Sequence, residues 1–422
     1  MKSRSHDTCR AWQPDGRGNC APRLLLALVI AWIVQPSAHG LRADEPTAAA
    51  PAAAAPASDE QIDRWIEQLS DDSYVVRQTA ADQLLNAGMA ARDALVRVSN
   101  GPDPETRAAA RRLVVLIDRT EFGRCLSAFA ADTDGHLGTT LPGWDEFSDL
   151  IGDDAEARGL FVDMQRAEAP LLAQVFSQPP DKRNLSWEDR LVRLLRGRVV
   201  VNRRSGPPLG SCATMLFLGA LPKPVPSDTA ATALARLAEF PPMQAALQNA
   251  DPLNPVRRLV VAWIIQCANH SDVVLNQRLQ LSLAYGLKEA LPFALDVASD
   301  PQYLAVSPSV RVLAILTVGK LGGSDQVTAL EPLLEDATVY TRGRGPRIAG
   351  QSPAQVEIRD VALAVLLQLT EQDLQDYGYR AARRHVRNLF SPETLYFASD
   401  DERTAALEKW RQWRAGRPAQ HD

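Results

Sequence analysis

The stretch from Asp71 to Asp118 (DDSYVVRQTAADQLLNAGMAARDALVRVSNGPDPETRAAARRLVVLID) constrains the fold more than any other. It reads as three consecutive helices joined by two short turns. Val76–Arg77 is followed at helical spacing by Ala80 and Leu84, and Gly88 stops the run. Thirty residues on, Arg107, Ala110 and Val114 repeat that spacing. A fixed offset of this kind marks a stacked-helix array, because one helical pair cannot bury its apolar face without neighbours.

The N-terminus carries the pattern of an export signal. Arg10, Arg17 and Arg23 precede an apolar run, Leu24 to Val34 (LLLALVIAWIV), and the small residues Ala38, Gly40 and Ala43 follow. That run falls well short of the roughly 20 residues that span a bilayer, and no Cys follows it for lipid attachment. Residues 1–43 are therefore expected to be a signal peptide, placing the mature chain in the periplasm or outside the cell with no stable membrane span. Its loss removes six of 46 basic and two of 51 acidic residues, leaving 40 against 49, a net charge of −9. An acidic exported chain is a poor general binder of nucleic acid. Cys125, Cys212 and Cys267 remain, an odd number without CxxC spacing, and Cys212 and Cys267 read as buried thiols.

Residues 44–58 (DEPTAAAPAAAAPAS) form a Pro/Ala linker. Over 59–124 the repeats begin. Ser58 with Gln61 makes a capping box, and Asp103–Pro104 a clean helix start. Residues 125–250 are less regular, broken at Pro142–Gly143 and at Pro222, Pro224 and Pro226, with helices expected over 155–173, from Ser186, and over 211–221 and 227–248. From 251 to 422 the repeat returns. Val256–Arg257 opens LVVAWIIQCA, and a helical run over 273–298 splits near Pro292. Ser307–Pro308 caps SVRVLAILTVGKLGG, which places Val310, Leu313, Ala314, Val318 and Leu321 on one face, and DQVTALEPLLED pairs with it. EIRDVALAVLLQL sets Ile358, Val361, Ala362, Val365, Leu366 and Leu369 at amphipathic spacing. The last helix, TAALEKWRQWR, follows Ser399 and Glu402 and has the one apolar and one polar face of an array's end. No stretch reads as a β-strand, and LFLGAL fits a buried helix.

The Val–Arg pairs at 76–77, 256–257 and 310–311, with Ile358–Arg359 and Thr106–Arg107 as variants, carry a resemblance. Each opens a helix with Ala and Leu at helical spacing, most after an Asp or Pro turn. This resembles the HEAT repeat, including the shorter HEAT-like repeats of exported bacterial proteins. The match covers 59–118 and roughly 250–370. It implies an all-α fold, an α-α superhelix or HEAT-like solenoid with an irregular helical middle, binding protein partners on a concave face. It also implies that the Arg bonds an acidic turn residue, for which Asp71, Asp103 and Asp251 are the candidates.

Chemistry-bearing motifs are sparse. Asp132-Thr133-Asp134-Gly135-His136 fails the calcium-loop pattern, having Leu137 at the sixth position and Gly143 at the twelfth. His136, His270, His385 and His421 form no HxxxH or HExxH pair, and His385 lies in YRAARRHVRNLF, which reads as a solvated basic helix. No GxSxG occurs, and Gly319–Lys320 lacks the upstream Gly of a phosphate loop. Neither catalytic nor metal residues nor a cofactor are assigned. Arg190, Arg193, Arg196, Arg198, Arg203 and Arg204 crowd one segment, and Arg380, Arg383, Arg384 and Arg387 another. Both fit solvated faces balanced by nearby acids, or contacts to an anionic partner.

The loop Tyr340–Pro353 (YTRGRGPRIAGQSP) is long for a repeat connection. Its Gly and Pro extend neither flanking helix, and Arg342, Arg344 and Arg347 give it charge. These three are the partner-binding candidates. The function expected is that of a non-enzymatic protein-binding scaffold outside the cytoplasm. The alternatives are an exported enzyme or enzyme subunit with its site in the middle segment, and a binder of anionic envelope polymer.

Overall fold

A computed structural model describes residues 57–135, 141–183, 186–200, 206–249, 251, 253–303, 305–343 and 354–416. The signal peptide and most of the linker lie outside these residues. Among them the chain is all-α, with 17 helices against four strands of two to four residues. It divides into two compact units, Met1–Ala128 and Phe129–Asp422.

The first unit contains α1 (Asp59–Glu67), α2 (Tyr74–Ala87), α3 (Met89–Val98) and most of α4 (Pro104–Ala131). The three expected helices of the 71–118 stretch are α2, α3 and the start of α4. Local chemistry fixes their ends. Ser58 and Gln61 exchange both bonds of a capping box. Asp103 accepts the Thr106 N–H at 2.7 Å, ahead of Pro104. Ile62, Leu69, Leu84, Leu95, Leu113 and Ile117 interdigitate in the core.

The second unit opens on α5 (Trp144–Ile151) and α6 (Ala155–Phe176). Phe129, Trp144, Phe147 and Phe161 pack their rings together, with centroids 4.8 to 6.0 Å apart. The Arg158 guanidinium lies over Phe129 and Trp144 and donates to the Phe129 carbonyl. Pro170 interrupts α6, and the backbone at Glu168 leaves helical geometry, since proline removes a donor and clashes with the preceding turn. Then come α7 (Ser186–Val200), α8 (Leu209–Ala220), α9 (Asp228–Leu237), α10 (Pro241–Gln248) and α11 (Pro255–Gln266). All of α8 from Gly210 onward is buried, as the LFLGAL run predicts. It approaches α6 so closely that a Cβ on Gly210 would lie 2.1 Å from the Asp163 carbonyl oxygen.

The 273–298 run resolves into α12 (Asp272–Tyr285) and α13 (Leu291–Ser299), with the break ahead of Pro292. Next are α14 (Pro308–Leu321), α15 (Val327–Leu330), α16 (Ile358–Leu369) and α17 (Asp400–Ala415). DQVTALEPLLED is broken into α15 flanked by 3-10 turns at Ser324–Gln326 and Glu331–Glu335. The one-faced readings of α14 and α16 need correction. Both are buried nearly all round, including Val312, Ile315, Leu316, Leu363 and Leu367. A helix apolar on every side is a central one.

The expectation of no strands is also corrected. β1 (Val339–Arg342) and β2 (Gln355–Glu357) pair antiparallel, and so do β3 (Arg384–His385) and β4 (Leu389–Phe390). His385 thus sits in a tight hairpin rather than a basic helix.

The acidic partners proposed for the Val–Arg arginines differ from those observed. Arg77 donates to the backbone carbonyls of Asp71 and Asp72, and Arg107 to those of Gly101 and Pro102. The carboxylates of Asp71, Asp103 and Asp251 instead accept N–H groups of their own turns, the short-range bond that Asp makes most readily. Arg257 pairs with Glu289 at 3.0 Å and Arg311 with Asp336 at 2.7 Å. Each of these acids follows the next helical segment.

Candidate partner-binding site

Arg342 ends the first strand of a β-ribbon. Thr338, Val339, Tyr340 and Thr341 are β-branched or aromatic and favour extended backbone. Their counterpart, Gln355–Glu357, leads directly into α16. The register pairs Val339 with Glu357, Thr341 with Val356 and Arg342 with Gln355, with a bulge between 339 and 341. The ribbon continues one step through Gly343 N–H to the Ala354 carbonyl at 2.7 Å. Gly343 rests against the Tyr396 ring, where a Cβ would come within 2.7 Å of Cγ.

The base of the ribbon is fixed on both sides. At the incoming strand, Asp336 accepts the Thr338 N–H at 2.9 Å and pairs with Arg311. Burial alone would push the Asp336 carboxyl up, but the bonds from Thr338 and Arg311 outweigh it and hold the pKa below its ordinary value. At the outgoing strand, Val356 is fully buried. Glu357 caps α16, and Asp360 returns a bond to the Glu357 N–H at 2.9 Å.

Arg403 of α17 locks this corner. Its Nε reaches Asp360 Oδ1 at 2.7 Å, and its Nη2 reaches Asp360 Oδ2 at 3.2 Å and the Gln355 carbonyl at 3.1 Å. Glu357 and Asp400 complete its shell. The Tyr379 hydroxyl donates to the Asp360 carbonyl at 2.5 Å. With the Asp360 side chain only 1% exposed, burial pushes its carboxyl up, and Arg403 pulls it part of the way back. A guanidinium suits this role because its planar fork meets a carboxylate and a carbonyl together.

Arg342 closes β1 and is exposed. Among the described residues no carboxylate pairs with it. Arg344 and Arg347 lie outside the described residues, as does His136. The chain matches no family model and no curated protein sequence.

In the middle segment, the buried Glu168 carboxylate exposed to its neighbours by the α6 kink is met by Arg190 Nη2 and Ser211 Oγ, each at 2.7 Å. Cys212, beside it, is pushed up to about 12 by burial and by the Glu168 charge, so at neutral pH it is a thiol rather than a nucleophilic thiolate. All three cysteines of the described residues are buried, and none forms a disulfide. No helix among the described residues is long and apolar enough to cross a membrane.

The sequence reading took Tyr340–Pro353 as one loop, whereas Tyr340–Arg342 belongs to β1, and it missed the ribbon base. A signal was present in the β-branched run Thr338–Thr341, bounded by Asp336 and Gly343. The role of Arg403 left none, because Asp360 and Gln355, through which it fixes the ribbon, lie more than 40 residues upstream.

Proposed function

We propose that this chain is a non-enzymatic scaffold acting outside the cytoplasm, a HEAT-like solenoid that captures protein partners. Arg342, at the end of β1, and the sequence neighbours Arg344 and Arg347 supply its contacts. The observation that carries this reading is the contrast between a ribbon base fixed by Arg403, Asp360, Arg311 and Asp336 and the exposed Arg342 at its end, which meets no carboxylate among the described residues. A rigid scaffold presenting a charged loop keeps the entropic cost of binding low. The signal-like N-terminus and the net charge of −9 without it support an exported location and an absence of nucleic-acid partners.

The test is the triple charge reversal R342E/R344E/R347E in residues 44–422, used to capture partners from envelope extract. Capture should fall strongly while the thermal midpoint stays at the wild-type value, as expected of side chains that serve binding rather than folding. Undiminished capture would overturn the assignment of these arginines.

A second reading has one observation in its favour. Val386, at the turn of the β3–β4 hairpin, is 94% exposed between Arg384 and Arg387, and Lys320 holds the carbonyls of Val386 and Arg387. Such a basic tip suits an anionic envelope polymer. Binding that collapses with added salt would favour it, because exposed charge contacts are screened.

A further inference from the structure

A groove of about 600 Å³ runs between α7, α9 and α12, in the segment where the sequence places its first arginine cluster. Its floor is apolar, formed by Val192 and Leu195 of α7 and Val273 of α12. Val273 is 53% exposed, an apolar side chain facing solvent beside a concavity. Thr229 and Thr232 of α9 add hydroxyls to one wall.

The charges along this groove are sorted. Glu188, near the start of α7, accepts both the N–H and the hydroxyl of Ser227, the N-cap of α9, each at 2.9 Å. That bond ties the two helix starts together. Asp228 is likewise engaged, accepting from Asn269 Nδ2 at 2.8 Å. The acids at this end are therefore spent on internal contacts. Arg196 and Arg236 lie two to three turns further along their helices, at the opposite end. Both are exposed, and among the described residues neither meets a carboxylate. The neighbouring Arg190 differs, being committed to Glu168.

An apolar floor that ends in two uncommitted guanidinium groups has a definite complement. We infer that this groove docks an acidic, amphipathic segment of a partner protein, with apolar side chains on Val192, Leu195 and Val273 and carboxylates on Arg196 and Arg236. A guanidinium takes a carboxylate in a bidentate fork, and helix-lined grooves recognise partner segments through apolar anchors at regular spacing. A bare polyanion would satisfy the arginines and leave the floor in water. This surface is separate from Arg342 and stands or falls without it.

The experiment is selection of short random displayed peptides on the full chain, with counter-selection on the R196E/R236E variant. Enriched sequences should combine Asp or Glu with Leu, Ile or Phe. The Kd of the best peptide should rise at least about tenfold in R196E/R236E and also in V273D, and stay unchanged in R342E. All these positions are exposed, so each variant should keep the wild-type thermal midpoint, which is measured alongside. Three results would overturn the inference: enrichment of neutral or basic peptides, no enrichment, or acidic peptides whose affinity survives V273D, which would reduce the site to charge alone.

Discussion

In the Met1–Ala128 unit, Arg77 and Arg107 remain half-exposed and donate to carbonyls of the turns just before their own helices. In the Phe129–Asp422 unit, Arg257 and Arg311 stand at equivalent helix starts, yet each is buried to 7% exposure and ends on an acid beyond the next helical segment. The local version completes a turn at little desolvation cost. The long-range version places a charge under the packing and makes it depend on a second element. One helix-opening pair thus serves as a turn clamp in one unit and as a joint between segments in the other. The first unit does have a tie of the second kind, Arg92 to Asp118 at 2.6 Å, but it is partly exposed and built from a residue outside the Val–Arg pairs.

This contrast ranks the effects of mutation. The largest loss should follow R403M, which strands Asp360 in the core. Denaturant unfolding should show a cost of roughly 3–5 kcal/mol, and amide exchange at 339–343 should quicken as the ribbon base loosens. R311M should cost about 2 kcal/mol, the range for a hydrogen bond to a charged group, because Asp336 keeps its bond from Thr338.

Asp154 tests the electrostatic part of the joints. Hydrogen bonding from Arg258 holds its carboxyl below the ordinary value of 3.8. The unfolded chain therefore binds that proton more readily, and the stability contributed is present above pH 4 and lost on acidification. D154N retains a helix-capping side chain but not the charge. The midpoint gap between it and the wild type should be small at pH 7, as for a screened pair, and narrow as the pH falls below 3.8. A gap independent of pH would rule out the charge as its source. The smallest effects belong to R77A and R107A, each about 1 kcal/mol or less. If either cost as much as R311M, the distinction between clamp and joint would fail.

The all-α class and most helix limits were legible because their causes are local. Ser58–Gln61, Asp103–Pro104 and Ser399–Glu402 each act within one turn of chain. Three features were not. The burial of α14 and α16 on every side comes from neighbours that periodicity within one helix does not report. The strands are shorter than any alternating pattern needs. The run YRAARRHVRNLF has no helix breaker, but it also has no apolar stripe to bury. Gly378, just before it, and Leu389, near its end, have positive φ, and Tyr379 and Phe390 carry its burial. Of the candidate site, length and composition point to the 340–353 segment and Arg342. Their support from Arg403 depends on tertiary contacts alone.

One joint of the second unit follows a different rule. Arg278 of α12 is fully buried beneath the end of α11, its guanidinium bonded to the carbonyls of Ile264, Ile265, Cys267 and Asn269, and it lies 4.0 Å from the Phe293 ring centroid. Burial lowers its pKa to about 10, still protonated throughout the neutral and acidic range. Its partners are amide oxygens, which take up no proton in that range. The joints built on Asp154, Glu289 and Asp336 all depend on an ionised carboxylate, and an acid bath can dissolve them one by one. The α11–α12 corner has no such release. On acidification it would be the last of these joints to give way.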